Sequence, residues 1–187
     1  MPPKIKNTRE VIVQKAMDIV RGSGVSALNA RTVAVALGCS TQPIFSNFAT
    51  MEALKTAVVT EAEALYQEYV RRETENGEHP PYKAGGMAYI RFAKEEKELF
   101  KLLYMCDRTG EDIPTESQSF TQMTDIVRQN TGADSETANL FHLEMWAYVH
   151  GIAAMFATGF LDLDWSLVSK MLTDAYQGMR KQYGMEG

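Results

Sequence analysis

The chain has 187 residues, 45% of them hydrophobic, so it can bury a substantial core as one domain with a small satellite. Its net charge of −5 is unevenly spread: Lys4, Lys6, Arg9, Lys15, Arg21 and Arg31 against Glu10 and Asp18 give the first 49 residues +4 and leave −9 for the rest. A basic head on an acidic body can hold a polyanion through the head, so the overall charge does not exclude nucleic acid.

The N-terminus carries two prolines and basic residues but no apolar run, so no signal peptide is expected. The most apolar stretch, Met145 to Phe160, contains His150 and falls short of the ~20 apolar residues a bilayer span takes. Cys39 and Cys106 form no C-x-x-C and read as ordinary buried thiols of a reducing compartment. A soluble, cytoplasmic protein with no membrane partner is expected.

Helical periodicity runs through the chain, with no convincing alternating strand pattern and no repeats. Asn7 caps a first helix, with Glu10 three residues on; Ile12, Ala16, Ile19 and Val20 share a face, and Gly22-Ser23-Gly24 ends it. Asn29 caps a second helix reaching Leu37, where Gly38 stops it. Ser40 caps a third to about Asn47, and Thr50 caps a long fourth with Leu54, Val58, Leu65 and Tyr69 as its buried stripe. The loop "NGEHPPYKAGG" precedes a helix from about Tyr82 to Lys94. The charged run "KEEKELF" leads from a solvated face into a helix that enters the core at Phe100. After the polar loop "CDRTGEDIP" comes a helix from about Thr115 to Asn130. Two long helices follow, Glu136 to Phe160 and Trp165 to Tyr183. The former is apolar almost all round between Leu140 and Phe156, which suits packing on its own core and on a second subunit; the latter has a single stripe, Val168, Met171, Leu172, Ala175 and Met179. The fold class is all-α, divided into a head over residues 1–49 and a helical body over 50–187.

The two short helices from Arg31 to Phe48 carry the functional signal. Ala34 is small where they cross, Gly38 can take a positive φ in the turn, and Ile44 plugs the core over Val33 and Leu37, the spacing of a helix-turn-helix. Pro43 lies in the first turn of the second helix, where its missing N–H costs little, so Ser40 should cap through the amide of Gln42. Thr41, Gln42 and Pro43 then project from the end that a recognition helix presents to the major groove. Gln pairs with adenine N6 and N7, while the Thr methyl and the Pro ring pack on a thymine methyl.

This head, from Asn7 to Leu54 with "GVSALNARTVAVALGCS", the aromatic pair of "IFSNF" and the entry "TMEAL", resembles the tetracycline-repressor (TetR) family of bacterial regulators. The resemblance implies an all-helical homodimer whose C-terminal domains form the dimer interface and a ligand pocket. "WAYVHG", Trp146 to Gly151, is similar to a Trp…His-Gly element in the sensor domains of some members. Where members commonly have Tyr, His and Lys, this chain has Phe45, Asn47 and Met51, so phosphate contacts shift toward Asn47 and the backbone amides opening the fourth helix. DNA contacts are expected from Lys6, Arg31, Thr32, Ser40, Thr41, Gln42, Pro43, Phe45, Ser46 and Asn47. The partners implied are a palindromic double-stranded operator, a small apolar or amphipathic effector and a second copy of the chain. A pocket is expected among Phe92, Phe100, Leu103, Tyr104, Phe120, Met123, Trp146 and His150, large or adaptable side chains with Tyr104 and His150 as polar handles.

Enzymatic readings find little footing. "GSGVSA" matches a dinucleotide fingerprint but follows a helix, and Ile44 stands where the acidic residue would be. His142 and His150 are ~12 Å apart along one helix and cannot share a metal. No catalytic residue, metal or cofactor is expected; the competing class is a helical module that binds another protein and no inducer.

Overall fold

Caps and left-handed glycines set the helix boundaries of this chain in the computed structural model, which describes residues 7–107 and 118–185, with the backbone alone at Gln118. Among the described residues there are nine α-helices and no strand. They are α1 (Arg9–Ser23), α2 (Ala30–Leu37), α3 (Gln42–Asn47), α4 (Met51–Glu75), α5 (Pro81–Glu95), α6 (Lys97–Tyr104), α7 (Gln118–Thr131), α8 (Ser135–Thr158) and α9 (Trp165–Gln182). A single 3₁₀ turn, Val25–Ala27, precedes α2 and had no sequence signal. No helix among the described residues is long and apolar enough to cross a membrane.

Thr8, rather than Asn7, caps α1: its hydroxyl accepts from the Val11 amide at 3.4 Å, while the Asn7 carbonyl accepts from Asn47 Nδ2 at 3.3 Å. Asn29 caps α2, and Thr50 Oγ1 accepts from the Ala53 amide at 3.1 Å to open α4. Residues 108–117 are not among those described, so most of "CDRTGEDIP" and the helix start expected at Thr115 lie outside the described residues.

The chain forms two compact units. The first comprises Met1–Gln67 and Glu96–Cys106, the second Glu68–Glu95 and Asp107–Gly187. In the first, Ile12, Ala16 and Val20 of α1, Val33 and Ala34 of α2, Ile44 of α3, and Leu54 and Val58 of α4 are buried together with Phe48. Each Val, Leu, Ile and Phe among them stabilises the fold by ~1.5–3 kcal/mol on leaving water. α6 packs against α1, burying Leu99, Phe100, Leu102 and Leu103, and Arg21 binds Glu96 through two hydrogen bonds of 2.8 and 3.1 Å.

In the second unit α8 is the central element. Phe141, Met145, Val149, Ile152, Ala153 and Phe156 face inward, against α5, α7 and α9. Its other side is exposed, with Leu140 at 47% and Trp146 at 36%, so the all-round apolarity read from the sequence resolves into a buried face and an open apolar one. A polar network fastens α4, α5 and α9: Arg91 pairs with the buried Glu73 and lies 4.6 Å over the Trp165 ring, which stacks on Phe156. Both cysteines are free thiols, but Cys106 is exposed and Cys39 half-buried. The expectation of two buried thiols fails because each lies in the turn following a short helix.

Candidate functional site

The candidate nucleic-acid interface of the first unit is built on α2 and α3. A reciprocal cap holds the start of α2: Asn29 Oδ1 accepts from the amides of Arg31 and Thr32 at 3.1 and 3.0 Å, and Thr32 Oγ1 accepts from the Asn29 amide at 3.2 Å. The Thr32 hydroxyl also donates to the Ala27 carbonyl at 2.7 Å, so it is occupied by the turn it secures. At the far end Gly38 takes φ 64°, ψ 34°, a left-handed conformation costing other residues roughly 1–2 kcal/mol, and this turns the chain into α3.

With six residues, α3 is too short to stand as an isolated helix. Ile44, fully buried, anchors it, and Pro43 lies in its first turn. The cap expected from Ser40 is not made. The helix opens one residue later, Thr41 holds the cap position with φ −73°, ψ −14°, and no side chain caps it. A side-chain cap needs extended backbone at that position, and Thr41 is already helical.

On the outer side Arg31, Ser40, Thr41, Gln42, Phe45 and Ser46 are exposed, Phe45 at 50%, and Pro43 and Asn47 are half-buried. Ser46 Oγ donates to the Gln42 carbonyl at 2.9 Å, and Asn47 Nδ2 to the Pro43 carbonyl at 2.8 Å, so both hydroxyl and amide stabilise the helix that presents them. Lys6 lies outside the described residues. Among the described residues the Arg31 guanidinium has no ion-pair partner. Two other bases of this unit are matched: Lys15 with Asp18 at 2.9 Å, Arg21 with Glu96 at 2.8 Å. The charge of the first 49 residues is therefore not the charge of the folded head: α4 adds Glu52, Glu61 and Glu63 against Lys55, while Glu96–Cys106 adds Glu96 and Glu98 against Lys97 and Lys101.

The second unit holds a ladder of two tyrosine–histidine pairs. Tyr82 and Tyr89 of α5 meet His142 and His150 of α8, each through hydroxyl and Nδ1 at 2.9 Å. Burial holds the His142 imidazole down to about 4, lowers His150 as well, and raises Tyr82, so these groups stay neutral near pH 7. Phe120 of α7 lies edge-on to His142, ring centroids 4.7 Å apart, and Trp146 lies 5.7 Å from His150. α7 passes α5 at Gly85, where an added Cβ would come within 3.1 Å of the Met123 methyl. Tyr176 of α9 closes the group against Tyr82 and Phe141. Among the described residues no group of three or more His, Cys, Asp or Glu could hold a metal ion.

Residues 82–175, just over half of the chain, match the family model described as tetracyclin repressor-like, C-terminal domain. The chain belongs to the TetR family. It is a DNA-binding transcriptional regulator, and the family is one of regulators, not enzymes. Two solved structures from Rhodococcus sp. RHA1 share its fold, each with a TM-score of 0.69. One is a TetR-like transcriptional regulator, 13% identical, covering 98% of this chain and 99% of its own. The other is a protein with unknown function, 24% identical, covering 97% of this chain and 98% of its own. No curated protein matches the sequence.

Within this TetR-family chain, the residues expected to form a pocket divide between the units. Phe100, Leu103 and Tyr104 belong to the first unit on α6, where Tyr104 packs edge-on to Tyr66 at 5.9 Å. Phe92, Phe120, Met123, Trp146 and His150 belong to the second. Sequence reading missed Tyr82, Tyr89 and His142 as a set. The seven-residue spacing of the tyrosines and the eight-residue spacing of the histidines was the available signal, since both put successive side chains on one helical face.

Proposed function

We propose that this chain is a cytoplasmic homodimeric repressor that reads a near-palindromic operator through two copies of α3 and leaves it when a small apolar or amphipathic molecule binds the second unit. The observation that carries the reading is α3 itself: a helix too short to be stable alone, pinned from beneath by Ile44, with Thr41, Gln42 and Phe45 left facing outward. Arg31 and Lys6 would add phosphate contacts, with Ser40, Pro43, Ser46 and Asn47 around them, while Thr32 would act through the α2 turn. The open side of α8, where Leu140, Ala147, Gly151 and Thr158 are exposed, together with the exposed Leu167 of α9, would supply the face for the second copy. The Tyr–His ladder, two neutral polar pairs in an aromatic wall, supplies polar handles of the kind that orient a mostly apolar ligand. Such a ligand shifts the population between operator-competent and incompetent states by no more than its differential affinity for them.

A duplex selected from random DNA by the protein tests the reading. Its half-sites should lie about one helical turn apart, ~34–36 Å. Inserting half a turn between them should weaken binding at least tenfold; unchanged affinity would mean that the heads bind independently. On the same duplex Gln42→Ala should cost ~1–3 kcal/mol of specific affinity while leaving scrambled DNA unaffected. An equal loss on both would remove Gln42 from base reading.

A further inference from the structure

Arg9 occupies the wrong end of its own helix. It is the first residue of α1, where the helix dipole opposes a cation, and Glu10 beside it is the residue type that end favours. Its guanidinium serves another helix: Nη1 donates to the Asn47 carbonyl at 3.0 Å, at the negative C-terminal end of α3, and the guanidinium carbon lies 4.1 Å over the Phe48 ring. Asn47 answers in the opposite direction, its Nδ2 donating to the Asn7 carbonyl at 3.3 Å and to Pro43 within its own helix at 2.8 Å. The start of α1 and the end of α3 are thus tied by two strands of opposite polarity, with Phe48, 1% exposed, as the floor between them.

α3 needs such a tie. It has no side-chain cap at its N-terminus, and its last carbonyls have no following turn to accept from, because Phe48 is already extended at φ −134°, ψ 119°. We infer that Arg9, with Asn47, is a positioning residue for DNA reading, fixing the C-terminal end of the recognition helix so that Gln42 and its neighbours approach base edges at a set angle. The inference rests on the proposal that α3 reads DNA. An arginine at this place in a DNA-binding head also invites a different assignment, a phosphate contact, and the two differ in salt dependence. Each phosphate neutralised contributes about 0.9 to the slope of log K against log salt. A positioning residue contributes none.

Two measurements on the full chain separate them. Amide hydrogen exchange of the free protein should show Arg9→Ala losing protection at Phe48, whose amide bonds the Ile44 carbonyl at 2.9 Å, while α2 keeps its protection. On a duplex selected from random DNA by the wild type, Arg9→Ala and Asn47→Ala should each lose roughly tenfold in affinity. The double variant should lose little more than either, and the salt slope should not change. Unchanged exchange at Phe48 would overturn the tie even if DNA binding fell. A salt slope reduced by about 0.9 in Arg9→Ala, with equal loss on scrambled duplex, would overturn positioning in favour of a phosphate contact. Failure of the wild type to select any sequence, with exchange at Phe48 altered as expected, would leave the tie standing as a structural feature and overturn its role in reading.

Discussion

α3 and α8 are opposite solutions to building a helix. α8 runs 24 residues, with Asp134 capping its start and Gly159 in a left-handed turn closing its end, and eight of its side chains are buried. α3 runs six residues with no side-chain cap and one buried residue, Ile44. The long helix owes its place to its own area; the short one owes everything to its surroundings. This suits their positions in a regulator. On the proposed function, a body that must persist through ligand exchange needs redundancy. A reading helix needs an outer face free of structural duties, so its few internal contacts are concentrated in Ile44, the Gly38 turn and the tie to α1.

Truncating the single anchor of α3 is the harshest test of that contrast. Ile44→Ala should cost ~2–5 kcal/mol, because a fully buried side chain leaves a cavity the head cannot close. Sequence-specific binding should be lost, while the second unit keeps its near-ultraviolet aromatic signal. Simultaneous loss of both signals at 25 °C would mean that the two units unfold as one, and that the redundancy assigned to the body does not isolate it.

Acidification probes the body instead. His142 is held neutral by burial, from an ordinary 6.5 down to about 4, with the Tyr82 hydroxyl on Nδ1 and Phe120 beside it. The unfolded chain binds a proton as pH falls below 6.5, and the folded chain does not until about 4. Its contribution is therefore complete above pH 6.5 and is lost progressively between 6.5 and about 4, by roughly 3 kcal/mol at most. Urea midpoints of the wild type should fall more steeply across this window than those of His142→Gln. Parallel profiles would show that the buried imidazole titrates as it does when unfolded, and would remove the ladder's lower rung as a neutral handle.

What the sequence made legible follows the range of the physics. Asn29, Gly38 and Thr50 were correctly placed because a cap or a left-handed turn is decided within four residues. Asn7 was misplaced by one residue because two adjacent cap-competent side chains compete, and Asn47, 40 residues away, takes the Asn7 carbonyl; Ser40 was misplaced because Thr41 is already helical, so α3 opens one residue later with no side-chain cap. Periodicity announced the apolar face of α6, with Phe100 and Leu103 on it, but carries no label for which unit that face joins. The same limit hid the neutralisation of Arg21 by Glu96, 75 positions later, and so overstated the free charge of the head. The exposed residues of α3 were legible for a different reason: once Ile44 is fixed inward, the helical repeat leaves Gln42 and Phe45 no other direction.

The finest distinction between the two regions concerns identical chemistry in unequal settings. Asn29 and Asp134 both cap a helix by accepting from amides two or three residues on, Asn29 at 3.0 and 3.1 Å and Asp134 at 2.9 Å from Thr137. Hydrogen bonds from the Thr137 amide and hydroxyl hold the Asp134 carboxyl below its usual range, so its cap is in force at neutral pH and is lost as pH falls through that lowered value. Asn29 has no such titration. Asn29→Ala should destabilise α2 by ~1 kcal/mol at every pH. In an eight-residue helix that loss cannot be diluted: it removes the side-chain acceptor of two amides and leaves only the bond from the residue-29 amide to Thr32 Oγ1 to hold the start of the helix. Amide exchange should then quicken along most of α2, at Arg31 and Thr32 first. Asp134→Ala should quicken exchange only in the first turn of α8, since eight buried side chains hold the remainder. The readout is the length of helix affected, not the size of either loss. If exchange quickened over equal lengths in α2 and α8, the head's helices would be as redundantly held as the body's, and the contrast between the two regions would be one of length alone.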